Sequence, residues 1–354
     1  IRVYGIVQGV GFRPFVSREA SELGLCGTVA NKGSYVEIHA QGSEKAVEDL
    51  KKALENRPPE RSVIMEIISA HADEPPFDSF EIIDSEKEKG DIFVSPDIAV
   101  CEKCKGELFD KTNRRYLHPF INCTQCGPRL TIMDSMPYDR VRTTMADFPM
   151  CKDCEDEYTD PATRRYDAQP VCCNKCGPEV YIIGSGEKGS KAITAARKAV
   201  MAGKIIAVKG IGGFHLCCDA KNESTVKRLR KLKNRPAKPL AVMLKDISAA
   251  RRECDFGEVQ EKLLTGWQKP IVLLDKKTSG SLCESVAPDN PTVGVMLPYA
   301  PLHLLLFDYD DGVEMTDSLV MTSGTQRNSR LLRPDIIPQQ TYLDTLRRYC
   351  HGHI

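Results

Sequence analysis

The chain has 354 residues, of which 41% are hydrophobic and 28% charged, and its 49 basic side chains balance 49 acidic ones. This composition is typical of a globular protein with two or three domains. A balanced charge gives no global basic field for nucleic acid or a membrane surface. No apolar run approaches the ~20 residues that span a bilayer. We therefore expect no membrane partner, and nucleic acid is disfavoured.

The first 90 residues alternate between strand-like and helix-like patterns. Alternating apolar residues predict strands over 2–7, 28–30, 34–40, 62–70 and 79–83, and helical spacing predicts helices over 13–23 and 46–54. This order is typical of a ferredoxin-like sandwich. The predicted fold class is therefore α+β, with a first domain over residues 1–90.

The first strand and the first helix are joined by the segment Gln8-Gly9-Val10-Gly11-Phe12-Arg13. Two glycines permit a tight turn whose backbone N–H groups can converge on an anion, and a helix N-terminus favours negative charge. Arg13 can hold a phosphate through two hydrogen bonds. The segment predicts a phosphate site, although a plain tight turn is the alternative. The predicted phosphate-binding residues are Gly9, Val10, Gly11, Phe12 and Arg13.

Four Cys-x-x-Cys pairs occupy the middle of the chain, separated by 18, 24 and 18 residues. They are Cys101/Cys104, Cys123/Cys126, Cys151/Cys154 and Cys173/Cys176. A shift of 50 residues superimposes the first two pairs, each with its neighbours, on the last two. Such pairs are typical of four-thiolate zinc sites, and we expect two structural Zn²⁺ ions over residues 98–180. The spacing leaves open whether each copy closes its own site, and buried or disulfide-bonded cysteines are the alternative. Zinc thiolates beside unpaired cysteines indicate a reducing compartment, the cytoplasm.

Residues 185–354 predict a third, twisted α/β domain. Helices are expected over 192–201 and 226–232 and from Pro301, and strands over 205–209, 240–244, 271–274, 293–297 and 319–321. A glycine-rich loop at 210–213 would let backbone approach a ligand closely, and 228–239 concentrates cations before a strand. Together they indicate a nucleotide site, although a solvated basic helix face is the alternative. His215 and His303 flank this predicted cleft; packing is the simpler interpretation, and a binding role stays open.

Three stretches resemble known families. The string Val7 to Arg13, followed by Gly27 to Asn31 and Gly33 to Ile38, resembles the acylphosphatase signature. That resemblance implies that Arg13 binds the phosphate of an acyl phosphate and that Asn31 positions the attacking water. Lys233-x-Arg235-Pro236-x-Lys238-Pro239-Leu240 resembles the YrdC signature. The order of the three modules, with the same cysteine spacing, resembles the HypF family of hydrogenase maturation carbamoyltransferases.

The HypF resemblance implies a reaction sequence. Carbamoyl phosphate would be hydrolysed in the first domain, and the carbamate would react with ATP and Mg²⁺ in the third to give carbamoyl-adenylate. The carbamoyl group would pass to the partner HypE and become a cyanide ligand of nickel–iron hydrogenase. The implied ATP-binding residues are Lys209, Lys233, Arg235, Lys238 and Ser323. Alternatives are a threonylcarbamoyl-adenylate synthase or an RNA-binding zinc protein.

The chain departs from the HypF pattern in three places. The family's transfer domain would begin near Ile354, where this sequence stops, so we expect a fragment or a chain without the transfer step. Thr325 follows Thr-Ser-Gly where Asn is usual, and the segment after Gly324 diverges. Asp167 stands where the family usually has His before Ala-Gln-Pro.

Overall fold

A computed structural model describes residues 1–85 and 95–324 of the chain. The chain divides into two compact units. The first consists of Ile1–Cys104 with Ile121–Pro178, and the second of Lys105–Phe120 with the residues from Glu179 onward. Each unit is built around its own sheet.

A five-stranded sheet with two helices opens the first unit. Its elements are β1 (Arg2–Ile6), α1 (Phe12–Glu22), β2 (Cys26–Lys32), β3 (Tyr35–Gln41), α2 (Glu44–Asn56), β4 (Val63–Ile68) and β5 (Phe80–Ile82). The strand order is β4-β1-β3-β2-β5. Only β2 and β5 pair in parallel among these strands. The α+β class expected for this region is confirmed.

The helix α1 is held by its apolar face. Phe12, Val16 and Ala20 recur at helical spacing and are buried in one core with residues of the sheet, such as Val29 and Ile38. Because α1 follows β1 after a short turn, this packing fixes the turn above the carboxyl end of β1. The packing therefore positions the segment predicted to bind phosphate.

The cysteine-rich region has little regular structure. Its helices are α3 (Glu102–Phe109) and α4 (Lys152–Thr159), each beginning directly after the first cysteine of a pair. Leu117 and Asp167, which are 50 residues apart, both have left-handed φ angles, of 54° and 55°. The sequence repeat is therefore also a repeat of backbone conformation.

A seven-stranded sheet with helices forms the second unit. Its elements are α5 (Gly189–Met201), β6 (Ile206–Gly210), β7 (Gly213–Asp219), α6 (Glu223–Leu232), β8 (Val242–Leu244), α7 (Ile247–Glu253), β9 (Cys254–Asp255), α8 (Glu258–Thr265), β10 (Val272–Lys276), β11 (Thr292–Met296), α9 (Pro301–Phe307) and β12 (Ser318–Ser323). The strand order is β6-β7-β12-β8-β11-β10-β9. This mixed sheet agrees with the α/β domain expected from sequence.

The glycine-rich segment after β6 is a hairpin turn rather than an extended loop. Gly210 pairs with Gly213, so that only two residues, one of them Gly212 with φ 83°, connect β6 to β7. The residues after Gly213 pair with β6 on one side and with β12 on the other. Pairing with β12 comes from about a hundred residues further along the chain, which a local pattern does not reveal.

The core of the second unit contains side chains from most of its elements. Val226 and Leu229 of α6 pack there with Val242, Val295 and Val320 of three neighbouring strands. None of the helices in the described part of the chain is both long and apolar enough to cross a bilayer.

Candidate functional site

The eight paired cysteines form two clusters of four thiols, each built from one copy of the repeat. The clusters are Cys101, Cys104, Cys123 and Cys126, and Cys151, Cys154, Cys173 and Cys176. Neighbouring sulfurs lie 3.7–3.8 Å apart in the first cluster and 3.6–3.8 Å apart in the second. A tetrahedron with zinc–sulfur bonds of about 2.3 Å has edges of about 3.8 Å. Both clusters therefore fit zinc, and each copy closes its own site.

The alternative of disulfide bonding is excluded for the described cysteines, all of which are free thiols. Backbone N–H groups support the clusters at equivalent positions. The N–H of Gln125 donates to the Cys123 sulfur and that of Lys175 to the Cys173 sulfur, both at 3.4 Å. Four sulfurs leave no position for a water ligand, so both clusters have the form of structural sites.

The turn between β1 and α1 has the geometry of an anion site. Gly9 and Gly11 adopt left-handed φ angles of 71° and 78°, which side chains with a Cβ rarely take. Gly11 is the residue that precedes the first turn of α1, where backbone N–H groups lack partners within the helix. Gln8 fixes the turn from below by donating to the carbonyl of Gly33 at 3.0 Å.

Arg13 is buried beside this turn and is held by acidic side chains. Its Nη1 lies 2.9 Å from Asp139 Oδ1 and 3.1 Å from Ser85 Oγ, and its Nε lies 3.1 Å from Asp167 Oδ2. Among the described residues, Nη2 makes one long bond of 3.4 Å, to the carbonyl of Tyr138. The face of the guanidinium that carries Nη2 is therefore the least committed one.

The charges around Arg13 shift one another's protonation. Burial alone would lower the pKa of Arg13, but the carboxylates of Asp167 and Asp139 outweigh it and the pKa is raised. Burial raises the pKa of Asp167, and the guanidinium of Arg13 only partly offsets it. Arg13 is consequently a permanent cation, while Asp167 is easier to protonate than an ordinary aspartate.

Asn31 faces the same site from β2. Its side chain is 1% exposed, and both its amide nitrogen and its oxygen lack a hydrogen-bond partner within the described structure. It lines a cavity of about 20 Å³ together with Gly9, Gly11, Arg13 and Asp167. A cavity of this size holds about one water molecule. Buried amides normally have partners, so this carboxamide is arranged for a molecule in the cavity.

Arg129 connects the first cysteine cluster to the phosphate turn. Its guanidinium donates to the carbonyls of Cys123 (3.2 Å) and Thr124 (2.9 Å), and further to the carbonyls of Cys126 and Pro128. It also donates to the carbonyl of Gly9. The conformation of the turn at Gly9 is thus coupled to that of the Cys123/Cys126 pair.

Sequence reasoning missed two of these residues and used a third only as a departure. Arg129 and Asp139 received no role, and Asp167 was noted only as a difference from the HypF pattern. A signal for Arg129 was present, because the equivalent position 50 residues later is Glu179. A residue that breaks an otherwise regular repeat is a candidate for a task that the other copy lacks.

The predicted nucleotide residues of the second unit are more loosely arranged. Lys233, at the end of α6, donates from Nζ to the carbonyl of Ser323 at the end of β12. Lys209 lies on β6, two strands from Ser323 in the same sheet. Arg235 binds the carbonyls of its own loop, and Lys238 is exposed. Thr325 and the divergent segment after it lie outside the described residues.

Arg230 has a structural role that its basic neighbourhood conceals. It is buried, and its guanidinium donates to the carbonyls of Arg235, Pro236 and Lys238 at 2.9–3.2 Å. The conformation of the loop that carries Arg235 and Lys238 is therefore stabilised by Arg230.

The protonation of Lys233 is shifted by its surroundings. Burial, followed by the charge of Arg235, lowers the pKa of Lys233 to about 8.

Three family models match successive parts of the chain. The acylphosphatase model matches residues 1–82, and the HypF finger model matches 100–133 and 150–183. The Sua5–YciO–YrdC model, described as telomere recombination, matches 198–339. Fold, thiol clusters and matches define a multidomain protein that joins an acylphosphatase domain, a double four-cysteine module and a YrdC-like domain.

Several proteins are similar to this chain over most of its length. The chain is 48% identical to Carbamoyltransferase HypF2 of Cupriavidus necator, over 87% of this chain and 39% of that protein. It is 47% identical to Carbamoyltransferase HypF of Synechocystis, over 92% of this chain and 42% of that protein. A crystal structure of full-length HypF in the phosphate- and nucleotide-bound form covers 99% of this chain, which covers 46% of it, with a TM-score of 0.92 and 42% identity. The chain belongs to the HypF carbamoyltransferase family. It spans about two fifths of the length of these curated relatives.

Proposed function

We propose that the first unit hydrolyses carbamoyl phosphate and that the second unit uses ATP to convert the carbamate into carbamoyl-adenylate. The observation that carries this proposal is the pairing of Arg13 with the unpartnered carboxamide of Asn31 at one small cavity. The crystal structure of the HypF relative, which is described as phosphate- and nucleotide-bound, supports the use of both ligands.

In the first step, the phosphate group would lie on the Gly9–Phe12 turn and against the Nη2 side of the Arg13 guanidinium, whose bond to the Tyr138 carbonyl is long. Backbone N–H groups and Arg13 would stabilise the negative charge of the phosphoryl oxygens in the transition state. Asn31 would orient a water through its amide. The water oxygen forms a bond to phosphorus, the bond from phosphorus to the carbamate oxygen breaks, and carbamate leaves as an anion while the proton lost by the water is carried by the released phosphate. Little general-base assistance is needed, because carbamate is a good leaving group.

In the second step, a carbamate oxygen would attack the α-phosphorus of ATP, and pyrophosphate would leave. Lys233, Arg235 and Lys238, together with Lys209 and Ser323, would bind the phosphates as charge builds on the leaving group. ATP would enter with Mg²⁺, which neutralises phosphate oxygens when bound. These residues supply cations without a P-loop sequence.

The two four-cysteine clusters would hold zinc as a structural ion. Zinc bound by four thiolates stabilises the folded state and has no open coordination position for a water or a substrate. By the same family relation, the carbamoyl group would pass to HypE and supply the cyanide ligands of nickel–iron hydrogenase, in the cytoplasm.

The first test is phosphate release from carbamoyl phosphate without ATP. Arg13→Ala and Asn31→Ala should each lower the rate by about 10²–10³-fold, as expected for loss of a transition-state donor. Arg18→Ala is the matched control, since Arg18 is exposed on the same helix and should leave the rate unchanged. Unchanged release in Arg13→Ala would remove Arg13 from the site.

The second test is pyrophosphate release from ATP and Mg²⁺. It should depend on carbamoyl phosphate, and Lys233→Met should abolish it while phosphate release in the first unit continues. If pyrophosphate is released at the same rate with and without carbamoyl phosphate, the two steps are not coupled as proposed.

A further inference from the structure

His303 of the second unit has a buried ring with one unused nitrogen. The side chain is fully buried, and its Nε2 has no hydrogen-bond partner within the described residues. Its Nδ1 accepts a hydrogen bond from the backbone N–H of Ala300 at 3.4 Å. Burial, with a smaller contribution from His215, lowers the pKa of His303 to about 3, so the ring is neutral. Because Nδ1 is an acceptor, the proton of the neutral ring is on Nε2, which is a buried donor that needs an acceptor.

Two further polar atoms converge close to His303. The ring of His215 lies 6.2 Å from that of His303, and the ring of Tyr299 lies 4.4 Å from it. A methyl group added to Gly210 would lie 3.1 Å from His215 Nδ1 and 3.2 Å from the Tyr299 hydroxyl. Both atoms therefore lie close to the same face of Gly210, the face on which another residue would carry its side chain. His215 Nδ1 is also buried without a partner in the described part of the chain.

This cluster adjoins the cations predicted to bind nucleotide. His215 on β7 is directly opposite Ser323 on β12, and the Ser323 carbonyl accepts from Lys233 Nζ. On its other side, β7 pairs with β6, where Phe214 lies opposite Lys209. A molecule bound at the histidines would consequently lie beside the candidate phosphate site.

We propose that Gly210, His215, Tyr299 and His303 form a subsite for a small planar oxyanion of the carboxylate class. Resting on the proposed function, its occupant is the carbamate that attacks ATP. Imidazole N–H and phenol O–H groups donate hydrogen bonds to oxyanions, and Gly210, which has no side chain, leaves its face toward His215 and Tyr299 uncovered.

The chemistry of these donors suits a nucleophile. Neutral donors orient the carboxylate-class anion without cancelling its negative charge, whereas a bound cation would cancel it. The second oxygen of the anion therefore stays nucleophilic enough to attack phosphorus. Burial raises the pKa of Tyr299 to about 12, so the hydroxyl keeps its proton. A metal site is disfavoured, since Nδ1 of His303 is already occupied and the only metal-type groups in the described residues are the two four-cysteine clusters.

The subsite can be tested by binding alone, without turnover. The chain has seven histidines, so ¹⁵N-histidine labelling gives a tractable NMR spectrum. Bicarbonate, which is planar and of the same size as carbamate, should cause a saturable shift in the ring-nitrogen signals assigned to His303 and His215. Inorganic phosphate, which is tetrahedral, should not shift them. If bicarbonate leaves both rings unchanged at tens of millimolar, the proposal is wrong.

Gly210→Ala is the decisive variant, because it fills the space without removing a donor. Its backbone conformation accepts alanine, and the added methyl would crowd His215 and Tyr299. In Gly210→Ala, the affinity for bicarbonate, measured from the concentration dependence of the shift, should fall at least tenfold. His303→Gln keeps a hydrogen-bond donor and should retain part of the wild-type affinity. Gly106→Ala, where a methyl has open space, should bind as the wild type does.

The outcomes separate the subsite from the proposed function. If Gly210→Ala retains full bicarbonate binding, the subsite is wrong, whatever the enzyme does with ATP. If bicarbonate binds as predicted but the wild type releases no pyrophosphate with carbamoyl phosphate, the proposed function fails and the subsite stands.

Discussion

The two candidate sites differ in how they hold their cations. Arg13 is buried between two carboxylates, next to a glycine turn and an unpartnered amide. In the second unit, Lys238 is exposed and Lys233 has a pKa of about 8. The first site is preorganised around a permanent charge, whereas the second has one exposed cation and one whose charge is lost above about pH 8. The substrate that we propose for the first unit, carbamoyl phosphate, is small and has few groups with which to order a site, so a preorganised site suits it.

Metal removal should show the largest difference between the sites. Both thiol clusters belong to the first unit, and structural zinc in small modules contributes about 10 kcal/mol or more to folding. Cys123→Ser should therefore abolish phosphate release and lower the zinc content from two to one per chain. Binding of an ATP analogue, measured by calorimetry, should persist.

Cys26→Ser is the control for this experiment, because Cys26 is a free thiol outside both clusters. It should keep two zinc ions and full phosphate release. If Cys123→Ser abolishes ATP-analogue binding as well, the two units do not fold independently and the sites differ less than their cations indicate.

Loss of the Arg129 connection should be the next largest effect. Arg129→Met would leave several buried carbonyls without a donor and free the Gly9 carbonyl of the phosphate turn. Misplacement of the turn by about 1 Å would lower kcat/KM for phosphate release by about 10²-fold. Steady-state kinetics on carbamoyl phosphate measure this directly.

Arg197→Met is a matched control in the second unit. Arg197 is equally buried and also binds carbonyls, those of Leu305, Leu306 and Val313. It should lower the melting temperature but leave phosphate release intact. Equal losses of activity in the two variants would mean that Arg129 acts only through stability.

The residues of the two units also show which features could be predicted from the sequence and which could not. The α+β fold followed from local patterns: alternation in β1 to β3 and helical spacing in α1. The family followed from the resemblance of two strings, Val7 to Arg13 and Lys233 to Leu240, and from the order of the modules around the cysteine repeat. Arg13 and Asn31 were predicted as site residues, and the structure brings both to one cavity. The partners of Arg13 were not predictable, because Asp139 and Asp167 lie more than a hundred residues away and reach it only through tertiary packing. The strand β7 was not predicted for the same reason, because it pairs with β12 from about a hundred residues further along the chain.

The pH dependence of nucleotide binding sharpens the contrast in charge. Burial, followed by repulsion from Arg235, lowers the pKa of Lys233 to about 8, so its charge is present below that pH and lost above it. If the charged form binds phosphate, affinity for an ATP analogue should fall about tenfold between pH 7 and pH 9. Lys233→Arg should remove this dependence, since guanidinium stays charged. A flat wild-type profile would show that Lys233 does not contact the nucleotide.

The smallest expected effect concerns the acidic side chains around Arg13. Asp167 adds negative charge where we propose that phosphate binds, and burial raises the pKa of Asp167 against the influence of Arg13. An acid with a raised pKa loses its charge first as the pH falls, so phosphate should inhibit the wild type more strongly at lower pH. Asp167→Asn keeps the shape and removes the charge, and we expect phosphate to bind it several-fold more tightly with a flatter pH profile.

Inhibition by phosphate, measured from pH 5 to pH 8, checks this expectation, with Asp153→Asn as an exposed acid in the same repeat for control. Weaker phosphate binding in Asp167→Asn would reverse the interpretation: the carboxylate would then serve to aim the guanidinium, and its alignment would matter more than its repulsion. Either result distinguishes the two roles, because repulsion depends on the charge of Asp167, whereas alignment depends on its bond to Arg13 Nε at 3.1 Å. If aiming dominates, the fixed geometry of this site is actively maintained by the cysteine-rich region. If repulsion dominates, the same carboxylate speeds the departure of phosphate.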